Sequence, residues 1–299
     1  MPSQERQFHS AWVGGDEAIG CAGSASHLFP WWSFTKTVLA IGALRLVEDG
    51  RLDLDAPCAG KPYTLRHLLQ HRAGVPNYGS LQAYHAAVAR NETPWPRKRL
   101  LQAVGAERLD FPPGTGWAYS NVGYMFVRDS IEEVTSLPLA SALDALVFAG
   151  LGMTSVRLAT AADFKDVFWP RLRDYNPGWV YHGCLVGTAI DAAKLLHAVF
   201  RGAILRSESL ATMLEPHDLG GALPGRPWTR CGYGLGLMIG LMGEAGRALG
   251  HSGAGPFSVN AVYHFPDLAR PVTVAVFADA EDEGEAEHAA VDLALRAAR

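Results

Sequence analysis

A chain of 299 residues, 48% hydrophobic and 19% charged, is long enough to bury one large core or two packed lobes. Its formal net charge is −4 and it has no basic stripe or Lys/Arg cluster, which argues against a nucleic-acid partner. The apolar run 37–44 is far too short to span a bilayer. The opening residues 1–7 are polar and lack the apolar core of a secretion signal, so the expected location is the cytoplasm. Cys21, Cys58, Cys184 and Cys231 are widely spaced and form no C-x-x-C pair. They read as reduced interior thiols, not as a disulfide framework or a zinc site.

In chain order, residues 8–13 and 18–22 flank Gly14-Gly15-Asp16 and predict a hairpin. A helix is expected over 33–48, with Val38, Leu39, Ile41, Leu44, Leu46 and Val47 apolar and Gly50 as the stop. A short helix should run over 64–72, capped by Thr64 and ended by Gly74. Another is expected over 121–134 with Asn121 as N-cap, and two more over 140–149 and 188–200. Strand signals are few between about 52 and 229. After 230 they dominate: 231–241, 247–250, 257–265 and 272–278 are strand-like runs, and a helix over 285–298 closes the chain. The sheet should therefore be built from both ends, residues 1–51 and 230–299, with a mostly helical lobe, 52–229, inserted and a cleft between the two.

Three short patterns carry chemistry. In Ser33-Phe34-Thr35-Lys36, serine and lysine three apart share a helix face, roughly 5–6 Å between Cβ atoms. A hydroxyl becomes a useful nucleophile only when a base takes its proton, and the first turn of a helix favours developing negative charge. Lysine normally titrates near ~10.4 and tyrosine near ~10. Work at neutral pH needs a drop of roughly 3, or a proton shared between the two groups. In Tyr119-Ser120-Asn121 the tyrosine is the natural proton partner, and the asparagine amide can bond both lysine and substrate. His251-Ser252-Gly253 is expected between two strands, with Gly253 letting backbone approach a ligand and the N–H groups of Ala254 and Ser33 forming an oxyanion hole.

In that order, these motifs resemble the penicillin-recognising serine hydrolases, the superfamily of class C β-lactamases, DD-peptidases and family VIII carboxylesterases. The resemblance runs from about 29 to 279. Leu46-Val47-Glu48-Asp49-Gly50-Arg51-Leu52-Asp53-Leu54-Asp55 is similar to the segment after the serine helix. Leu68-Leu69-Gln70-His71-Arg72-Ala73-Gly74-Val75 is similar to the family's "LLTHTSGL" stretch. Phe111-Pro112-Pro113-Gly114-Thr115, Leu151-Gly152-Met153-Thr154 and Gly232-Tyr233-Gly234-Leu235-Gly236 also match. The resemblance implies an α/β (α+β) fold, an antiparallel sheet flanked by helices with an all-helical lobe. It implies Ser33 as nucleophile, Lys36 and Tyr119 as the acid/base pair, and Asn121, His251, Ser252, Gly253 and Ala254 about the substrate. The substrate would be a small ester, amide or β-lactam, with no metal or organic cofactor.

Two departures stand out. With 32 residues ahead of Ser33, the family's extra N-terminal helix should be missing or very short. His251 stands where β-lactamases and transpeptidases usually carry lysine and where many esterases and D-aminopeptidases of the superfamily carry histidine. A mostly neutral histidine suits an anionic β-lactam less.

Other readings compete. Gly250-His251-Ser252-Gly253-Ala254 nearly fits the nucleophile elbow of α/β-hydrolases, with Ser252 as nucleophile and His264 or His288 as base. A domain that stays acylated would be a penicillin-binding sensor, and one that hands its acyl group to an alcohol or amine would be an acyltransferase. His67 and His71 have zinc-pair spacing but no following glutamate, and read as structural. Trp117, Trp179 and Tyr181 fit either an acyl pocket or the core. Gly232 to Gly240 reads as a glycine-rich strand beside the pocket, and Glu281-Asp282-Glu283 as a solvated turn.

Overall fold

A computed structural model describes residues 7–299; the polar opening segment, and the leader reading placed on it, fall largely outside these. The strands are β1 Phe8–Gly14, β2 Ile19–Ala22, β3 Phe29–Pro30, β4 Arg157–Leu158, β5 Leu185–Gly187, β6 His217–Gly220, β7 Arg230–Tyr233, β8 Met238–Leu241, β9 Arg247–Gly255, β10 Ser258–Phe265 and β11 Val272–Ala278. The helices are α1 Phe34–Glu48, α2 Leu65–Leu69, α3 Gln82–Ala89, α4 Arg97–Val104, α5 Asn121–Thr135, α6 Leu139–Leu143, α7 Ala189–Phe200, α8 Ser207–Met213 and α9 Glu283–Ala297.

Among the described residues, eight strands make one antiparallel sheet in the order β2-β1-β11-β10-β9-β8-β7-β6. The two ends of the chain meet inside it: Phe8 lies opposite Ala278 and Gly14 opposite Val272. Every residue of β10 and β11 is buried because both faces are covered. Val272, Val274, Val276 and Ala278 pack with Ala286, Ala290 and Ala294 of α9. The alternate Ala275 and Phe277 join the core of α1 and α7 on the other face. Two covered faces turn a strand into an unbroken apolar run, which is how these two strands read in the sequence. Residues 34–44 of α1 are likewise buried all round, so the helix lies within the protein instead of on its surface. Among the described residues no helix is long and apolar enough to cross a membrane.

The antiparallel sheet flanked by helices is as expected; several details differ. The run 231–241 is a hairpin, not one strand. Gly236, at φ +77°, turns it against α1, where an added Cβ would stand 2.5 Å from the Ala40 Cβ. His251-Ser252-Gly253 lies inside β9, not between strands. The cap of α5 is Ser120, whose Oγ accepts from the Gly123 N–H, not Asn121. Residues 140–149 form α6 followed by a π turn, Asp144–Phe148. All four cysteines are free, but only Cys184 and Cys231 are buried; Cys21 is exposed.

Candidate active site

Ser33 occupies the N-cap position of α1, yet its side chain makes no capping bond. Its Oγ instead lies 3.0 Å from Lys36 Nζ and accepts the Tyr119 hydroxyl at 2.9 Å. Trp32, just before it, is held at φ +40°, a left-handed conformation uncommon for a large residue. The Trp32 indole donates to Ser258 Oγ at 2.8 Å and lies across Gly255, where a Cβ would stand 2.3 Å from the ring.

Lys36 has no solvent exposure. Its amine meets a hydroxyl, an imidazole (His182 Nε2, 3.2 Å) and the ring faces of Tyr119 and Tyr124 at 4.8 and 5.8 Å. Burial pushes it well below the usual lysine range, against an opposing pull from Glu283 and Cys184. Burial pushes the Tyr119 hydroxyl the other way, above its usual range, and the Ser33 hydrogen bond offsets only part of that. Both groups are thereby steered towards their neutral forms.

His71 fixes the tyrosine. Its carbonyl accepts the Ala118 N–H and its Nδ1 accepts the Ser120 N–H, each at 3.0 Å, so the backbone is pinned on both sides of Tyr119. The two rings lie 4.3 Å apart. His67 completes a capping box with Thr64 at the start of α2. Both histidines with zinc-pair spacing thus have structural partners. Asn121 gives both its backbone N–H and its Nδ2 to Asn77 Oδ1, at 3.1 and 3.2 Å. The lysine contact expected of it is made by His182.

On β9, His251 is buried, and the Tyr233 hydroxyl meets its Nε2 at 2.8 Å while its Nδ1 faces the Ser252 carbonyl. A carbonyl only accepts, so Nδ1 carries the proton and Nε2 accepts from Tyr233. Burial, then the Lys36 charge, pushes the ring down to about 3. Side chains alternate along a strand, so Ser252 faces the other side. Its Oγ bonds Glu287 and lies 2.6 Å from the Tyr263 hydroxyl. This corrects two expectations. Ser252 lines neither cavity that opens on Ser33, and a serine 1% exposed in mid-strand is no nucleophile elbow. His264 is held by Thr273 at 2.9 Å, and His288 is exposed on α9.

Gly253 is corrected too, because the close approach it allows is to the chain itself. A Cβ there would stand 2.8 Å from the Ser33 nitrogen and 2.9 Å from the Trp32 Cβ. Gly253→Ala is therefore expected to displace Ser33 and cost on the order of 10²-fold in kcat/KM. Gly221→Ala, which meets nothing within 4 Å, should leave turnover unchanged in the same assay.

Two cavities open on Ser33 and Asn121. One, of about 390 Å³, is walled by Trp32, Tyr78, Tyr84, Tyr175 and Val180. The other, of about 1170 Å³, holds Trp117, Tyr119, Tyr233, His251 and Arg226. Ala254 borders both. Asp279, Glu281, Asp282, Glu283 and Glu285 line the larger one, so the acidic run belongs to the cavity and is not merely a solvated turn. Within it Asp282 caps α9 and Glu283 pairs with Arg226 at 3.1 Å. Trp179 is a core residue and Tyr181 donates to the Trp95 carbonyl, leaving Trp117 as the cavity wall among the three aromatics first considered. Sequence reasoning missed His182 and the Arg226–Glu287 pair (Nε–Oε2, 2.7 Å), in which the carboxylate is fully buried and the arginine reaches the cavity.

Several known proteins are similar to this chain in sequence or in fold. Penicillin-binding protein 4* of Bacillus subtilis (strain 168) is 23% identical over 308 residues, which cover 89% of this chain and 64% of that protein. Esterase EstB of Burkholderia gladioli is 32% identical over 155 residues, 45% of this chain and 39% of that one. The chain thus spans less than two thirds of the length of each of these relatives. The crystal structure of D-amino acid amidase from Ochrobactrum anthropi SV3 has the same fold, with a TM-score of 0.82, 23% identity, and coverage of 97% of this chain and 95% of that one. The Beta-lactamase family model matches residues 6–299, which takes in the two-ended sheet, α1 and everything between. On that match the chain belongs to the Beta-lactamase family.

Proposed function

We propose that the protein is a serine hydrolase that cleaves small esters or amides through an acyl-Ser33 intermediate. The observation that carries this is the hydroxyl of Ser33 held between a buried amine and a buried phenol, at 3.0 and 2.9 Å. Lys36 is the better base of the two, because burial favours its neutral form and disfavours tyrosinate. Ser33 Oγ attacks the carbonyl carbon as its proton passes to Lys36 Nζ. The oxyanion is met by the N–H groups of Ser33 and Ala254, the first at the N-terminus of α1. On collapse, Tyr119 gives its proton to the leaving group and is reprotonated from Lys36. Water then attacks the acyl carbon as the same pair takes its proton, and on collapse that proton passes to the departing Ser33 Oγ, which frees the acid and restores the hydroxyl.

The two cavities divide the substrate. The smaller, aromatic one suits an apolar acyl group and the wider one a leaving group. A neutral His251 offers no positive charge to a substrate carboxylate, which favours simple esters and amides over anionic β-lactams. The esterase and the D-amino acid amidase among the similar proteins support the same substrate classes. Turnover of p-nitrophenyl butyrate, D-phenylalanine amide and a chromogenic cephalosporin tests the reading, with ester or amide turnover expected to dominate. His251→Lys should raise cephalosporin hydrolysis relative to ester hydrolysis by about tenfold, the equivalent of roughly 1.4 kcal/mol. An unchanged ratio would show that this position does not set the preference.

A further inference from the structure

His182 lies in the turn before β5, 2% exposed, with Nε2 3.2 Å from Lys36 Nζ. Among the described residues its Nδ1 has no hydrogen-bond partner. A neutral lysine amine has two N–H bonds and one lone pair, and it rotates freely unless something directs it. The ring faces of Tyr119 and Tyr124 attract its hydrogens but give little direction. An imidazole nitrogen does give direction. We propose that His182 is a positioning residue: its Nε2 accepts an N–H of Lys36 and so turns the amine's lone pair towards Ser33 Oγ. This rests on the acyl-Ser33 reading above.

The tautomer follows from the proton balance. When Lys36 takes the Ser33 proton it has three N–H bonds and no lone pair. A ring nitrogen at 3.2 Å can then only accept. With Nε2 protonated, the ring would compete with Ser33 for the lone pair before transfer and oppose an ammonium N–H after it. With Nδ1 protonated, one contact serves both states. The orphan then is a buried Nδ1–H, a costly arrangement that belongs at a working site.

The surroundings keep the ring uncharged. Facing this pair are His71 beyond α2, Tyr119 just before α5, Tyr124 and Arg128 of α5, Cys184 beside β5, His251 of β9 and, at longer range, Glu283 of α9. Burial first, and the Lys36 charge second, holds His71, His182 and His251 below the usual histidine range. Lys36 is therefore ringed by neutral imidazoles, and its own proton sets the acidic limb of activity.

His182→Phe keeps an aromatic ring and removes the acceptor; His182→Gln keeps an acceptor. Both are compared with wild type for kcat and KM on p-nitrophenyl butyrate across pH, beside Ser33→Ala. The expected result for His182→Phe is a fall in kcat on the order of 10²-fold, a smaller change in KM, and an acidic limb moved to lower pH because the ammonium has lost its acceptor. His182→Gln should recover most of kcat and the wild-type limb. Full activity in His182→Phe, or equal losses in both variants with the limb in place, would overturn the inference. Activity retained in Ser33→Ala would overturn the parent reading as well; a dead Ser33→Ala beside a fully active His182→Phe would overturn only this one. Should His182→Phe fail to fold, the imidazole ¹⁵N spectrum of the wild type still decides, with Nδ1 protonated as expected and a protonated Nε2 as the contrary result.

Discussion

Ser33→Ala is expected to lower kcat on p-nitrophenyl butyrate by on the order of 10⁴-fold or more, as loss of the nucleophile does in serine proteases. Neither Ser252 nor Tyr119 is placed to take over. Ser252 lies beneath β9 among Glu287 and Tyr263, 1% exposed. Tyr119, the hydroxyl next to Ser33, is held neutral by burial. Whatever turnover remains would come from water activated by Lys36 in the intact oxyanion hole. Mass spectrometry of the intact protein during turnover should find an acyl adduct on the wild type and none on the variant. Turnover that survives the substitution would place the nucleophile elsewhere.

Lys36→Met should abolish turnover to a similar extent while making the protein more stable. Unfolded, the amine titrates near ~10.4; folded, burial holds it well below that. Between the two values the unfolded chain binds one more proton, so stability rises with pH across that window. Below it the folded state carries the whole cost of a buried charge. Methionine has nearly the same length and nothing to desolvate. At pH 7 the variant is expected to have a higher Tm than the wild type, and the difference should shrink as the pH approaches 10.4. A lower Tm at pH 7 would mean that the contacts of Lys36 with Ser33 and His182 outweigh its desolvation.

What could be read from the sequence was whatever has a local cause. α1 was legible because an unbroken apolar run cannot sit on a surface, and β10 and β11 because strands covered on both faces lose their alternation. The β7–β8 hairpin was hidden because its turn is set by contact with Ala40 on α1, not by its own residues. β9 reads as a shorter strand in the sequence because Gly250, Ser252, Gly253 and Gly255 look like a loop until Trp32 and Ser33 are placed against them. At the site, Ser33 and Lys36 share one helical turn, so their contact could be foreseen. His182 is 146 positions from Lys36 and carries no motif. Asn121 lines both cavities as expected, but its tie to Asn77, 44 positions away, carries no local signal either. Glu287 has a local signal: a carboxylate three residues before Ala290 and seven before Ala294 lies on the apolar face of α9 and needs a cation beside it.

The pairing of Phe8 with Ala278 sets the order in which this protein can be completed during synthesis. β1 emerges from the ribosome first, but its neighbour β11 is among the last segments made. At about 5–20 residues per second, that wait is on the order of ten seconds or more. Over the same interval α1 lacks β9, the strand that fits against Ser33. Contacts of such long sequence separation form slowly, and a waiting strand with an open edge is the segment most exposed to pairing with the wrong chain. Any acylation at Ser33 is therefore deferred until β9 is made, and a ribosome that stalls short of β9 yields a chain with its serine present but without the Ala254 edge that borders both cavities.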